Sequence, residues 1–229
     1  MENKRFAVMG TGRSGTEWTR RALGAMGLRV GHEDIYDWKG DSGSAERWAD
    51  LDGDVSLACV GYPDLLPVVR PLVVRHPLSV ARSFLALRFW HDTCECHEPG
   101  AHLQAPYERF ILERCPQIAE EHTPLGRSIV YQALWLESAL SMATSVWTLD
   151  DLASKPRALA VLAMECGAVV DEVEANKVAG KVGRVNLKTQ AKQPQGPVLV
   201  DDLLGHPWGS RLMEVWMECV GRSFQGTPP

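Results

Sequence analysis

The side chains best suited to chemistry in this sequence stand directly after short apolar runs. In Phe6-Ala7-Val8-Met9-Gly10-Thr11-Gly12-Arg13-Ser14-Gly15-Thr16-Glu17-Trp18 such a run feeds a glycine-rich turn that passes into a helix. Glycines allow positive φ and close approach of a ligand to the backbone, and the first amides of a helix are unpaired donors at the positive end of its dipole. That combination binds anions, and Arg13 places a permanent cation in the loop. In Pro71-Leu72-Val73-Val74-Arg75-His76-Pro77-Leu78-Ser79-Val80-Ala81-Arg82-Ser83 a β-branched run again ends at an arginine, here followed by a proline suited to a first helical position. Ser79 and Ser83 are i and i+4 on one helix face, and Arg75 leaves the strand just before that helix begins, so one ligand can meet both Arg75 and Ser83. The arginine fork matches phosphate oxygens in pairs. Gly31-His32-Glu33-Asp34 follows a second apolar stretch and supplies two proton acceptors. A histidine titrates near neutral pH, and a carboxylate reaches that range by partial burial.

Gly10 and Gly15 have the spacing of the nucleotidase pattern G-x-x-x-x-G-K-[ST], but Thr16 stands where the lysine belongs and the cation has moved forward to Arg13. The segment Arg13-Ser14-Gly15-Thr16-Glu17-Trp18 resembles instead the 5′-phosphosulfate-binding loop of sulfotransferases that use 3′-phosphoadenosine 5′-phosphosulfate (PAPS), in which a Lys or Arg precedes S-G-T-x-W. The 71–83 segment resembles the same family's 3′-phosphate motif, with Arg75 at a strand end and Ser83 eight residues later. Bacterial and phage sulfotransferase-like proteins carry a Gly-His-Glu element after the corresponding second strand, and they also resemble this chain at Thr148-Leu149-Asp150-Asp151-Leu152.

The resemblance implies that Gly12, Arg13, Ser14, Gly15 and Thr16 hold the 5′-phosphosulfate, that Arg75 and Ser83 hold the 3′-phosphate, and that Trp18 packs against adenine. It implies a late loop over the 3′-phosphate, for which Arg184 in Gly183-Arg184-Val185-Asn186 is the nearest match. The catalytic set is then Arg13 as an electrostatic group and Glu33 as general base, with His32 as the alternative base or as the partner that orients Glu33. PAPS is the co-substrate, 3′,5′-diphosphoadenosine (PAP) the product, and a hydroxyl or amine of a small molecule or glycan the acceptor, with no metal required. Glu17 departs from the family pattern, since it puts a carboxylate in the first turn of the phosphate-facing helix. Considered by spacing alone, Trp18 serves equally as a core residue, His32 as a surface histidine and Glu33 as a helix-capping acid.

These motifs need strands that end at one edge of a sheet. Apolar periodicity and turn residues predict strands at 5–9, 28–31, 55–60, 71–75 and 145–149, with helices at 17–27, 63–68, 78–88, 105–115, 126–144, 156–166 and 207–221. Strands alternating with helices predict an α/β fold, a parallel sheet flanked by helices of the P-loop-like sulfotransferase kind with a mostly helical second half. The loops at 10–16, 32–54 and 75–77 then share the carboxyl edge, where open α/β sheets bind ligands. The polar segment 177–197, with Lys177, Lys181, Arg184, Lys188 and Lys192, is expected to be a loop.

A chain of 229 residues with 45% hydrophobic content suits one enzyme-sized domain over 1–229. Its net charge of −5 and pI near 5.8 argue against a general nucleic-acid partner. The glycine loop begins within ten residues of the first, and no apolar run reaches the length of a membrane span, so a cytoplasmic enzyme with reduced thiols among its six cysteines is expected. The cluster His91, Cys94, Cys96, His97 and His102 lacks the spacing of a structural zinc site and reads as part of an acceptor loop; Trp38, Trp48 and Trp90 fall in or beside such loops, with core or lid packing as the default and stacking on an acceptor as the alternative. Two other functions compete: a P-loop small-molecule kinase, opposed by the missing lysine, and a nucleotide-binding protein without catalysis.

Overall fold

The computed structural model describes residues 5–38, 41–87, 89–90, 105–182 and 198–223. Five strands, β1 (Phe6–Gly10), β2 (Val30–Gly31), β3 (Gly53–Ser56), β4 (Pro71–Val74) and β5 (Ser145–Thr148), form one sheet in the order β2-β3-β1-β4-β5. Every pairing is parallel, and the register runs Phe6 to Gly53, Met9 to Leu72 and Val74 to Thr148. This is the expected α/β class: β1, β3 and β4 are buried along their whole length, as strands covered on both faces must be.

Nine α-helices lie among the described residues: α1 (Thr16–Ala25), α2 (Pro77–Ala86), α3 (Ala105–Arg114), α4 (Pro124–Met142), α5 (Leu149–Ser154), α6 (Pro156–Glu165), α7 (Glu172–Val182), α8 (Val200–Leu204) and α9 (Gly209–Ser223). They group with the strands into two compact units. One takes the described residues of Met1–Arg75, Ser138–Val185 and Met217–Pro229, the other those of His76–Glu137 and Asn186–Trp216.

In the first unit, alternate strand residues Phe6, Val8, Val55, Val73 and Trp147 form one sheet face and pack with Ala22 and Leu23 of α1, Leu152 of α5, Leu162 of α6 and Val178 of α7. Burying each large apolar side chain contributes about 1.5–3 kcal/mol, so this layer holds β1 and α1, and with them the turn between, in place. In the second unit, Ala81 of α2, Ile129 and Ala133 of α4, Leu203 of α8 and Leu212 of α9 form a smaller core. Phe84, Phe89, Trp90, Tyr107 and Tyr131 form an aromatic cluster there, with neighbouring ring centroids 4.7–6.4 Å apart.

The strand expected at 28–31 is shortened to Val30–Gly31, the helix α8 was not expected, and three further elements differ. The strand expected at 55–60 spans Gly53–Ser56 and gives way to a 3-10 turn at Ala58–Gly61, because the Ser56 hydroxyl accepts from the Ala58 amide (2.9 Å) and ends the ladder. The helix expected at 63–68 is a single 3-10 turn, Pro63–Leu65. The loop expected from 177 is helical through Val182: Asp171 accepts from the Glu174 amide (2.8 Å) at the start of α7, and Ala175 and Val178 turn one stripe into the core. Lys177 and Lys181 lie on the solvated side of that helix, and the rest of the expected loop, 183–197, lies outside the described residues.

Candidate functional site

The turn between β1 and α1 is built to leave donors open. Gly15 is the N-cap of α1 and adopts φ 104°, a left-handed conformation, and no side chain caps the helix start. Gly10 is equally constrained, since a Cβ there would lie 2.5 Å from Ser14 Oγ and 3.2 Å from the Val73 carbonyl oxygen. The chain thus folds back over the end of β1, with the Ser14 amide donating to the Thr11 carbonyl at 3.1 Å. Ser14 is fully buried, and among the described residues its hydroxyl has no hydrogen-bond partner. A buried hydroxyl without a partner costs about 1–3 kcal/mol, which an anion seated in the turn would recover.

Two guanidiniums converge on this turn. Arg13 follows β1 and Arg75 follows β4, the adjacent strands between which the sheet order reverses, and Arg75 Nη1 donates to the Arg13 carbonyl at 3.4 Å. Burial, and after it the charge of Arg75, pull the Arg13 guanidinium below its ordinary pKa. Like charges gathered in a half-buried place favour the approach of an anion, and the crevice at a strand-order reversal is where open α/β sheets bind ligands. Arg13 itself has φ 69°. Positive φ in a non-glycine residue costs on the order of 1–3 kcal/mol and persists where the surroundings impose it.

Glu33 has the same strain, at φ 62°. The segment after β2 turns sharply there and is pinned by Asp54, a fully buried carboxylate on β3 that accepts from the amides of Asp34 (3.4 Å), Ile35 (3.1 Å) and Tyr36 (3.0 Å). Ser56 donates to the Tyr36 carbonyl (2.9 Å), and Arg47 bridges the Asp34 carbonyl (2.9 Å), Asp37 (3.0 Å) and Asp41. Glu33 is therefore held on a rigid turn. Burial, then the nearby charges of Asp54, Asp34 and Asp37, raise its carboxyl to a pKa of about 7. Asp54 rises to about 6 for the same first reason, restrained by the three amides it accepts.

His32 joins this turn to the glycine loop. Its Nε2 lies 3.1 Å from Thr16 Oγ1, and its Nδ1 is 3.9 Å from Glu17 Oε2. Burial lowers the His32 pKa, and Glu17 partly offsets that. Glu17, the departure from the family pattern, lies along its own helix against Arg20 (2.9 Å) and Arg21 (2.5 Å). Its hydrogen bond from Arg20, above all, brings it to about 2.

Of the residues expected in the site, the loop residues Gly12, Arg13, Ser14, Gly15 and Thr16 are contiguous, Arg75 touches Arg13, and His32 touches Thr16. Trp18 is 7% exposed and packs in the core of the first unit. Ser83 is half-buried on α2, in the second unit. Trp48 is buried edge-on to Tyr36 at 6.1 Å, and Trp90 is buried in the aromatic cluster. Arg184 and the cluster from His91 to His102 lie outside the described residues. Sequence reasoning missed Asp54 and Arg47. Asp54 had a signal, a lone carboxylate inside the strand Gly53–Ser56.

No protein-family model matches the sequence, and neither does any curated protein. Among solved structures the chain is similar to mouse sulfotransferase SULT7A1 complexed with PAP, at a TM-score of 0.48 and 13% identity over 99% of this chain and 87% of that one. Among the described residues no three metal-ligating side chains come together, and no helix is long and apolar enough to cross a membrane.

Proposed function

We propose that the protein is a sulfotransferase that moves a sulfuryl group from PAPS to a hydroxyl or amine of a small molecule or glycan. The observation that carries this reading is the contact of Arg75 with Arg13 in the turn before a helix start that no side chain caps, where Ser14 Oγ is buried with no partner among the described residues. Each of these features costs free energy, and an anion rich in acceptor oxygens offsets all of them together. The position of the cations favours a phosphosulfate over a nucleoside triphosphate, since the loop carries arginine at its middle and no lysine after Gly15.

In this reading Gly12, Arg13, Ser14, Gly15 and Thr16 receive the phosphosulfate, and Arg75 receives the 3′-phosphate. Ser83 and Arg184 keep the 3′-phosphate assignment on sequence spacing, and Trp18 supports the loop from the core. The acceptor's oxygen or nitrogen attacks sulfur, forming the new O–S or N–S bond as the bond from sulfur to the phosphate oxygen breaks. Glu33 takes the acceptor's proton, a task suited to a carboxyl near pKa 7. The departing phosphate oxygen keeps the electron pair, and Arg13, which stays protonated, stabilises it. The reaction uses no metal in this scheme. The four described cysteines, Cys59, Cys115, Cys166 and Cys219, are free and buried, which suits the reducing cytoplasm.

Calorimetric titration with PAP and with ADP tests the donor assignment. PAP is expected to bind at least about tenfold more tightly, roughly 1.4 kcal/mol, and Arg75→Ala to erase that difference while leaving ADP affinity in place. Equal affinities in the unaltered protein would overturn the reading in favour of a kinase. Incubation with PAPS and a panel of hydroxyl and amine acceptors, followed by mass spectrometry, then identifies the product by the added sulfuryl group.

A further inference from the structure

We propose that occupation of the glycine loop by the donor's anionic oxygens makes His32 take up a proton from solvent, with the Thr16 hydroxyl as the link and Glu17 as the counter-ion. This rests on the donor reading above and assigns to His32 and Glu17 a part in it. The argument is a count of hydrogens. A threonine hydroxyl has one proton to give, a neutral imidazole has one N–H, and a carboxylate has none.

The short contact between Thr16 Oγ1 and His32 Nε2 (3.1 Å) is satisfied when Thr16 donates and Nε2 accepts. The ring's single N–H is then on Nδ1, facing Glu17 Oε2 at 3.9 Å. A neutral imidazole serves both neighbours, as its burial requires. Phosphate and sulfate oxygens are acceptors only, and at the start of α1 they claim the Thr16 proton. Thr16 Oγ1 then presents lone pairs to Nε2, and the contact survives only if Nε2 bears hydrogen. A neutral ring with its hydrogen on Nε2 would turn a bare Nδ1 toward the Glu17 carboxylate, acceptor against acceptor. The imidazolium alone has an N–H for each side.

The charges facing His32 decide whether that ion is tolerated. Glu17 and Arg20 reach it from α1 and Asp34 from its own turn; the two acids favour the cation, while Arg20 and burial oppose it. Arg20 is itself bonded to Glu17, so the incoming anion decides the balance. Glu17 is thus a positioning residue that acts through His32. A protonated His32 cannot accept the acceptor's proton, which leaves that task to Glu33.

Titration of the protein with PAP at pH 7.5, in buffers of different ionisation enthalpy, counts the protons taken up. The unaltered protein is expected to take up about half a proton or more beyond His32→Gln, whose amide can still donate to Thr16; the phosphates' own titration, with a second pKa of about 6, is common to both. Glu17→Gln should lower the uptake as well. In the unaltered protein the imidazole 15N resonances of His32 should move together to imidazolium values when PAP is added, a readout independent of either variant. Tight PAP binding with equal proton uptake and an unchanged neutral ring would overturn this inference alone. Absence of PAP binding would overturn the donor reading, and this inference with it.

Discussion

Replacing Glu33 by Gln should remove sulfuryl transfer and at the same time make the protein more stable at pH 8. In the folded chain burial and the neighbouring carboxylates hold the Glu33 pKa at about 7, against 4.5 for an unburied glutamate. The unfolded chain therefore releases this proton first. Between pH 4.5 and 7 the folded state binds more protons than the unfolded one, so stability falls as pH rises through that window and levels off above it. At 1.36 kcal/mol per pKa unit the full cost at pH 8 is about 3 kcal/mol, and solvent around a half-buried side chain reduces it to roughly 1.5 kcal/mol. For a protein of this length that is about 3–6 °C in Tm. Gln keeps the size and hydrogen-bonding atoms without the charge, and it also relieves Asp54 of a like-charged neighbour. Thermal unfolding of both proteins at pH 8 and at pH 4 measures the difference, which should be present at the higher pH and nearly vanish at the lower. Turnover should fall by about 10² or more with PAP affinity nearly unchanged. Equal Tm differences at the two pH values would refute the account of a buried, repelled carboxylate, and near-normal turnover would refute its role as base.

Asp54→Ala should leave the amides of Asp34, Ile35 and Tyr36 without an acceptor and cost about 1–3 kcal/mol in urea unfolding, with turnover lowered through a misplaced Glu33 and PAP affinity retained. Gly15→Ala forces a Cβ into a φ of 104° and against the Leu149 side chain, and should both destabilise the fold by about 1–3 kcal/mol and weaken PAP binding in a calorimetric titration. Turnover should survive EDTA, since the proposed chemistry draws its positive charge from Arg13 and Arg75; loss of activity restored by a divalent cation would contradict this.

The sheet and the glycine loop were legible in the sequence because both follow from local rules: apolar runs of strand length, glycine where φ must be positive, and arginine at strand ends. Arg13 and Arg75 are 62 residues apart, yet each was readable as the first cation after a strand, and parallel strands bring such ends to one edge. The contact between His32 and Thr16 was not readable, because it depends on a left-handed Glu33 and on the amides that Asp54 gathers, and neither has a local sequence signature. The second half of α7 was misjudged for a similar reason. Its apolar stripe is only two buried residues wide among charged ones, and besides the preceding α6 it packs on α1, which lies far along the chain.

Two of the three described non-glycine residues at positive φ are Arg13 and Glu33, and the site's other costs lie beside them: the repulsion between Arg13 and Arg75, the unpartnered Ser14 hydroxyl, and the carboxylates around Glu33. The costs are of opposite sign. The loop side gathers positive charge, while the Glu33 side is relieved by gaining a proton. A reaction that delivers a phosphosulfate to the first and a proton to the second relieves both in sequence, donor first and acceptor proton second. His32, in contact with the loop through Thr16 and next in the chain to Glu33, stands where the two halves meet.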